Sequence, residues 1–302
     1  MNKDWQESKE FSTPFNLKLI RWIALTLGRP IARCFLYPIS IYYYINAESQ
    51  RNASHEYLSL VFNRPATRLE TLKHIHTFAA TILDRVYLLT GQFDKLAIQF
   101  PKVNIPRTYS HKGVGCLLLG SHIGSFEVLR SYAVSNYPLP IKILMYENQA
   151  PMMVQVLNAL NADVANTLIS LDGSASGLLK VKEAIDSGTT VGLLGDRILG
   201  KNTEKTVTCT LLGKPFTLST APILMAAALK VPVIVFFGLY LGGNRYKIHF
   251  DLLDEEVILN RKTRQQDIQR YAQQYVDLLE KQIRQHPYNW FNFYDYWKND
   301  DN

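Results

Sequence analysis

The stretch Val114-Gly-Cys-Leu-Leu-Leu-Gly-Ser-His-Ile-Gly-Ser-Phe-Glu-Val-Leu-Arg130 decides the reading of the fold. A short apolar run over 114–119 ends in a Gly/Ser turn and gives way to a helical segment at about 125–136, as expected of a strand buried on both faces. The same texture recurs downstream. Apolar runs at 141–146, 165–171, 189–195 and 231–238 alternate with helical segments at 151–161, 173–187 and 219–230. The last of these helices opens on Thr217-Leu-Ser-Thr-Ala-Pro222, with hydroxyl residues to cap it and a proline in its first turn. The alternation predicts an α/β fold with a largely parallel central sheet flanked by helices.

His122 follows the first of these strands directly, at the rim where open parallel sheets meet their ligands. Glu127 stands five residues on. Residues five apart in one helix point roughly 140° away from each other, so the two side chains meet only if His122 lies in the turn and Glu127 in the first helical turn. There Glu127 faces the positive end of the helix dipole, which favours its charged form. A carboxylate so placed fixes the tautomer of a histidine acting as a base. Main-chain N–H groups near Gly124 and Ser125 are candidates to hold a developing oxyanion.

The spacing alone is weak. Seven histidines and 26 acidic residues in 302 positions give about 0.6 chance matches, and a second match occurs at His249 and Asp254. That pair lies in Arg245-Tyr-Lys-Ile-His-Phe-Asp-Leu-Leu253, whose alternation reads as a half-exposed strand and serves as a control. A second buried strand, Thr189-Thr-Val-Gly-Leu-Leu-Gly195, ends in Asp196-Arg197. Arg197 is a candidate to hold an anionic substrate group, with Asp196 anchoring Arg197 or a loop.

Residues 1–108 carry no strong strand signal. A helix is expected over 65–89, with Leu69, Leu72, Ile75, Phe78 and Ile82 on one face. Phe15-Asn-Leu-Lys-Leu-Ile-Arg-Trp-Ile-Ala-Leu-Thr-Leu27 is amphipathic, and the uncharged, tyrosine-rich run over 34–47 is too short to span a bilayer. Together 15–46 read as an interfacial hairpin on a membrane surface, where tyrosines and Lys/Arg stems settle. The net charge of +7 is concentrated over residues 1–110, where 14 Lys/Arg face 8 Asp/Glu. The basic residues are scattered among apolar helices without a recognition module, which argues against nucleic acid. Three widely spaced cysteines imply neither a disulfide framework nor a zinc site, and a reducing cytoplasm suits them. No metal or cofactor is expected. The chain divides into an N-terminal helical, membrane-facing portion, 1–108, and a catalytic α/β core, 109–302. A final helix over 262–285 leads into the aromatic tail Pro287-Tyr-Asn-Trp-Phe-Asn-Phe-Tyr-Asp-Tyr-Trp297.

In order along the chain, Gly120-Ser-His-Ile-Gly-Ser-Phe-Glu127, Gly195-Asp-Arg197, Gly213-Lys-Pro-Phe216, Val231-Pro-Val-Ile-Val-Phe-Phe237 and Pro287-Tyr-Asn-Trp290 resemble the late lipid A acyltransferases, the lauroyl- and myristoyl-transferase branch of the lysophospholipid acyltransferase superfamily. Asp84-Arg-Val-Tyr87 and Gly242-Gly-Asn-Arg-Tyr246 resemble the shorter acyltransferases found with aryl polyene pathways. The chain departs from the lipid A pattern at Ile123, where a bulkier aromatic is common, and in Lys142-Ile-Leu-Met-Tyr-Glu-Asn148, which lacks an arginine. Without it, a phosphorylated sugar loses a bidentate partner there.

The resemblance implies transfer of a fatty acyl chain from an acyl carrier protein thioester, or a coenzyme A thioester, to a hydroxyl of a membrane lipid or glycolipid. It implies a dyad of His122 as base and Glu127 as its orienting carboxylate, with Gly124, Ser125, Asp196 and Arg197 around the substrate. It also implies a place at the cytoplasmic face of the bacterial inner membrane, peripheral or monotopic. Two other readings are a non-catalytic lipid-binding protein of the same fold and an acyl thioesterase.

Overall fold

A computed structural model describes residues 14–100, 105–129, 139–146, 167–171, 175–198, 206–294 and 296–297. The chain forms two compact units, one holding the residues up to Tyr87 together with those from Gln282 onward, the other Leu88–Lys281. The boundary expected at 108/109 falls inside the second unit, and the aromatic tail belongs with the N-terminal helices.

In the first unit lie helices α1, Pro14–Asn46, α2, Glu48–Phe62, and most of α3, Arg68–Leu89. The segment expected as a hairpin is two helical stretches that join at Gly28. Gly28 has φ 79° and ψ 165°, a conformation open to glycine, and Pro30 begins the following turn. Beyond the break α1 buries a narrow stripe of Ala32, Leu36 and Ser40. On α3 the expected apolar face is only partly the buried one. Ile75 is buried, but Leu69 is 78% exposed, and the inward positions carry Thr71, His74, Thr81 and Asp84.

Those buried polar groups are paired, as burial demands. The Arg29 guanidinium makes a two-pronged ion pair with Asp84, Nε to Oδ1 at 2.7 Å and Nη2 to Oδ2 at 2.8 Å. Tyr87 donates its hydroxyl to the Ala24 carbonyl. His74 lies between Ser54 Oγ, 2.8 Å from Nδ1, and the Trp290 carbonyl, 2.9 Å from Nε2. A carbonyl only accepts, so Nε2 carries the proton and Nδ1 receives the Ser54 hydroxyl. Tyr57 donates to the Pro287 carbonyl and meets the Trp290 ring edge-on, while Phe78 contacts Phe291 and Phe293.

The second unit is built on a seven-stranded sheet of β1, Ala97–Gln99, β2, Leu117–Gly120, β3, Ile141–Tyr146, β4, Leu168–Leu171, β5, Thr190–Leu194, β8, Val233–Gly242, and β9, Arg245–Asp254, in the order β1-β9-β8-β2-β5-β3-β4. The strands from β8 through β2, β5 and β3 to β4 are mutually parallel; β9 returns antiparallel to β8, and β1 follows the direction of β9. The fold is mixed α/β with a mostly parallel central sheet, as the alternation predicted. The expected apolar runs are the parallel strands, with β3 matching its predicted bounds. Helices α4, Ile105–Ser110, α5, Ala175–Asp186, α6, Ala221–Leu229, and α7, Arg264–Gln285, accompany the sheet. Of the helix expected at 125–136 only the start at Val128 and Leu129 is described, and the helix expected at 151–161 lies outside the described residues.

Strand β1 was not anticipated, lying in a stretch without a strand signal, and neither was a separate hairpin of β6, Thr206–Leu211, and β7, Lys214–Ser219, turned by Leu212 and Gly213 at φ 53° and 77°. Its outer edge is covered by side chains of α7. Gln273 both donates to and accepts from the Thr210 main chain, and Glu280 accepts the Leu212 N–H. Such cover blunts a strand edge against stray pairing.

Candidate active site

The parallel pairing of β2 with β5 sets Gly120 opposite Leu194. His122 and Asp196 each follow this pair by two residues, so the two strand ends deliver them side by side at the carboxyl edge of the sheet. The Gly195 N–H donates to the Gly120 carbonyl at 3.0 Å, extending the ladder one step beyond the strands. The buried Tyr275 hydroxyl of α7 donates to the same carbonyl at 2.9 Å.

His122 Nδ1 lies 2.7 Å from Asp196 Oδ1, and the His122 main-chain N–H donates to Asp196 Oδ2 at 2.8 Å. The carboxylate is fully buried and the imidazole side chain is 26% exposed. Burial pushes the Asp196 carboxyl toward its neutral form, but the His122 charge and hydrogen bonds and the nearby Arg197 outweigh it, holding the pKa down to about 2. An ionised carboxylate at Nδ1 accepts a proton-bearing nitrogen, which makes Nε2 the basic one. The orienting position that the sequence reading gives to Glu127 is therefore taken, at Nδ1, by Asp196.

Glu127 is half-buried in the turn just before Val128, and Arg197 is half-buried beside Asp196. Gly124, at φ 63°, bridges to Gly238 of β8, and the Ser125 N–H donates to the Gly238 carbonyl at 2.8 Å. The Ser125 N–H is thus committed to the sheet and is withdrawn from the expected oxyanion donors. The approach is close: a Cβ on Gly238 would sit 2.1 Å from the Ser125 carbonyl oxygen. Ser121 and Ser125 are 4% and 2% exposed, and their hydroxyls make no hydrogen bond among the described residues.

The control pattern behaves differently. Strand alternation sets Asp251, not Asp254, on the His249 face, and His249 Nε2 lies 2.8 Å from Asp251 Oδ2. Asp254 instead accepts the Tyr271 hydroxyl. Among the described residues, no cluster of three or more His, Cys, Asp or Glu side chains is arranged to hold a metal ion. The sequence reading missed the long-range pairing of His122 with Asp196. Its only sequence signal was the shared design of two buried strands, each ending two residues before a polar side chain.

The two motifs of the aryl polyene likeness have structural work. Asp84 and Tyr87 fasten α3 to α1, and Gly242-Gly243 turns β8 into β9. Comparison with curated proteins gave no match. The profile of the bacterial lipid A biosynthesis acyltransferases matches residues 9–299, almost the whole length. With that match spanning both units, the chain belongs to the bacterial lipid A biosynthesis acyltransferase family.

Proposed function

We propose that the protein transfers a fatty acyl group from a carrier-protein thioester to a hydroxyl of a membrane lipid or glycolipid, with His122 as general base and Asp196 as the carboxylate that positions it. The contact that carries this reading is the double grip of Asp196 on the His122 ring and main chain, at 2.7 and 2.8 Å. Nε2 takes the hydroxyl proton as the oxygen attacks the thioester carbonyl. The C–S bond then breaks, the proton passes from the imidazolium to the departing sulfur, and ester and free thiol result. Glu127 adds negative charge from the turn and steadies the imidazolium. Gly124 N–H and the Ser121 and Ser125 hydroxyls serve the oxyanion and the acceptor hydroxyl, and Arg197 meets an anionic group of the acceptor or donor.

The acceptor's location fits the outer face of α1. Ile31, Phe35, Tyr37, Ile41, Tyr42 and Ile45 are each 46–63% exposed, opposite the buried Ala32/Leu36/Ser40 stripe. An apolar, aromatic face turned outward suits the headgroup and acyl boundary of a bilayer, here the cytoplasmic leaflet of an inner membrane. No helix among the described residues is long and apolar enough to cross a membrane. The absence of arginine from Lys142–Asn148 favours an acceptor other than the phosphorylated sugar of lipid A, such as an aryl polyene lipid.

The test is an assay of purified protein with acyl carrier thioesters and an extracted membrane-lipid pool, beside His122→Ala and Asp196→Asn. The reading requires a labelled lipid ester that both substitutions suppress. Free fatty acid as the sole product would contradict it.

A further inference from the structure

We infer that Tyr275 is a positioning residue for the His122–Asp196 pair, its hydroxyl bracing the main-chain carbonyl from which both side chains are hung. The inference rests on the acyltransferase reading above and adds a group from α7 to the machinery.

The pair closes a small ring of bonds at the carboxyl edge of the sheet. The Gly195 N–H donates to the Gly120 carbonyl at 3.0 Å, Asp196 follows Gly195 directly, and Asp196 Oδ2 accepts the His122 N–H at 2.8 Å. Only Ser121 separates His122 from Gly120. The Gly120 carbonyl belongs to the peptide that leads into Ser121, so its tilt sets the path of the chain to His122. Through the bond from Gly195 the same tilt sets where Asp196 begins.

That carbonyl is buried and has two lone pairs; with one left unfilled the peptide is free to turn or to draw in water. The Tyr275 hydroxyl fills the second at 2.9 Å. The sequence of α7 brings it there. Tyr271, Ala272, Tyr275, Val276 and Leu279 are 0–2% exposed and, at helical spacing, form its buried stripe. Gly195 leaves room for the ring: a Cβ there would lie 2.5 Å from Leu119 Cδ1 and 3.6 Å from Tyr275 Cζ, the carbon that bears the hydroxyl. One turn earlier on the same stripe, Tyr271 donates its hydroxyl to Asp254 Oδ2 at 2.9 Å. The two tyrosines make the same kind of bond from the same helix, one to the strand end that leads to His122 and one to the last residue of β9. Tyr271 is therefore a built-in control for Tyr275.

Tyr275→Phe keeps the ring and removes the hydroxyl. Small misplacements of a base cost about ten- to a hundredfold in rate, so kcat is expected to fall by that factor while KM for donor and acceptor changes little. The proton on His122 Nδ1, held 2.7 Å from Asp196, should give a low-field NMR resonance that Asp196→Asn abolishes and Tyr275→Phe moves upfield. Tyr271→Phe is expected to lower the unfolding temperature and to leave kcat and the resonance unaltered. Tyr275→Met, which fills the space with flexible apolar bulk, carries the same measurements if Tyr275→Phe fails to fold. Folded variants at Tyr275 with native kcat and an unmoved resonance would overturn the assignment and leave the acyltransferase reading intact, as would equal effects of the two Phe substitutions on kcat and resonance. Absence of any transfer by the unsubstituted protein would overturn that reading, while the resonance would still decide whether Tyr275 holds the pair.

Discussion

Asp196 holds His122 at two points, taking the imidazole Nδ1 on one oxygen at 2.7 Å and the main-chain N–H on the other at 2.8 Å. Both oxygens must accept for the arrangement to persist. An asparagine has one accepting oxygen, so Asp196→Asn either loses the main-chain bond or presents an amide N–H to Nδ1 and forces the wrong tautomer. We expect kcat to fall by roughly a hundredfold to ten-thousandfold, with KM much less affected. Steady-state kinetics on the folded variant checks it. A loss below tenfold would remove Asp196 from the mechanism.

Gly238 tests the architecture of the His122 turn. Any side chain there meets the Ser125 carbonyl at 2.1 Å, so the turn must move. Gly238→Ala should cost about 1–3 kcal/mol of stability and most of the activity. Thermal unfolding and acyl transfer on the same preparation give both values; native activity would show that the turn's position is immaterial.

His74 makes stability depend on pH. Burial lowers its pKa from 6.5 to about 4, against the opposing bond to the Trp290 carbonyl. Between those values an unfolded chain takes up a proton here and the folded chain does not, so stability is full above about pH 6.5 and falls as pH drops toward 4. The loss amounts to roughly 3 kcal/mol. Denaturant unfolding at intervals from neutral pH to pH 4 should show this decline, and His74→Gln should lack that part of it. An equal slope in the variant would contradict the assignment.

On the proposed reading the outward face of α1 sets membrane affinity without supporting the core. Phe35→Ser with Ile45→Ser removes apolar surface at positions 46% and 63% exposed. Vesicle co-sedimentation should drop by about tenfold or more, with unfolding temperature little changed. Unchanged binding would place the membrane contact elsewhere.

How far the fold was legible depended on whether the determining contacts were local. Strands buried on both faces read as apolar runs, and β3 was legible residue for residue over 141–146. Strand β6 carries a period of two, since Thr206-Val-Thr-Cys-Thr-Leu211 alternates outward threonines with buried Val207, Cys209 and Leu211. His122 stood out because it follows a strand directly. Asp196, 74 positions away, became its partner through the β2–β5 register, which no local window contains. The inward face of α3 was misjudged for a related reason. Asp84 and His74 are buried because Arg29, Ser54 and Trp290 satisfy them, and those partners lie 20 to 216 positions away.

The most direct measurement follows a radiolabelled acyl group from its carrier protein in the presence of extracted membrane lipid, comparing the unsubstituted protein with His122→Ala. The account predicts label in a lipid ester, reduced at least a thousandfold by the substitution. Equal ester formation by both proteins, or label found only as free fatty acid, would contradict it.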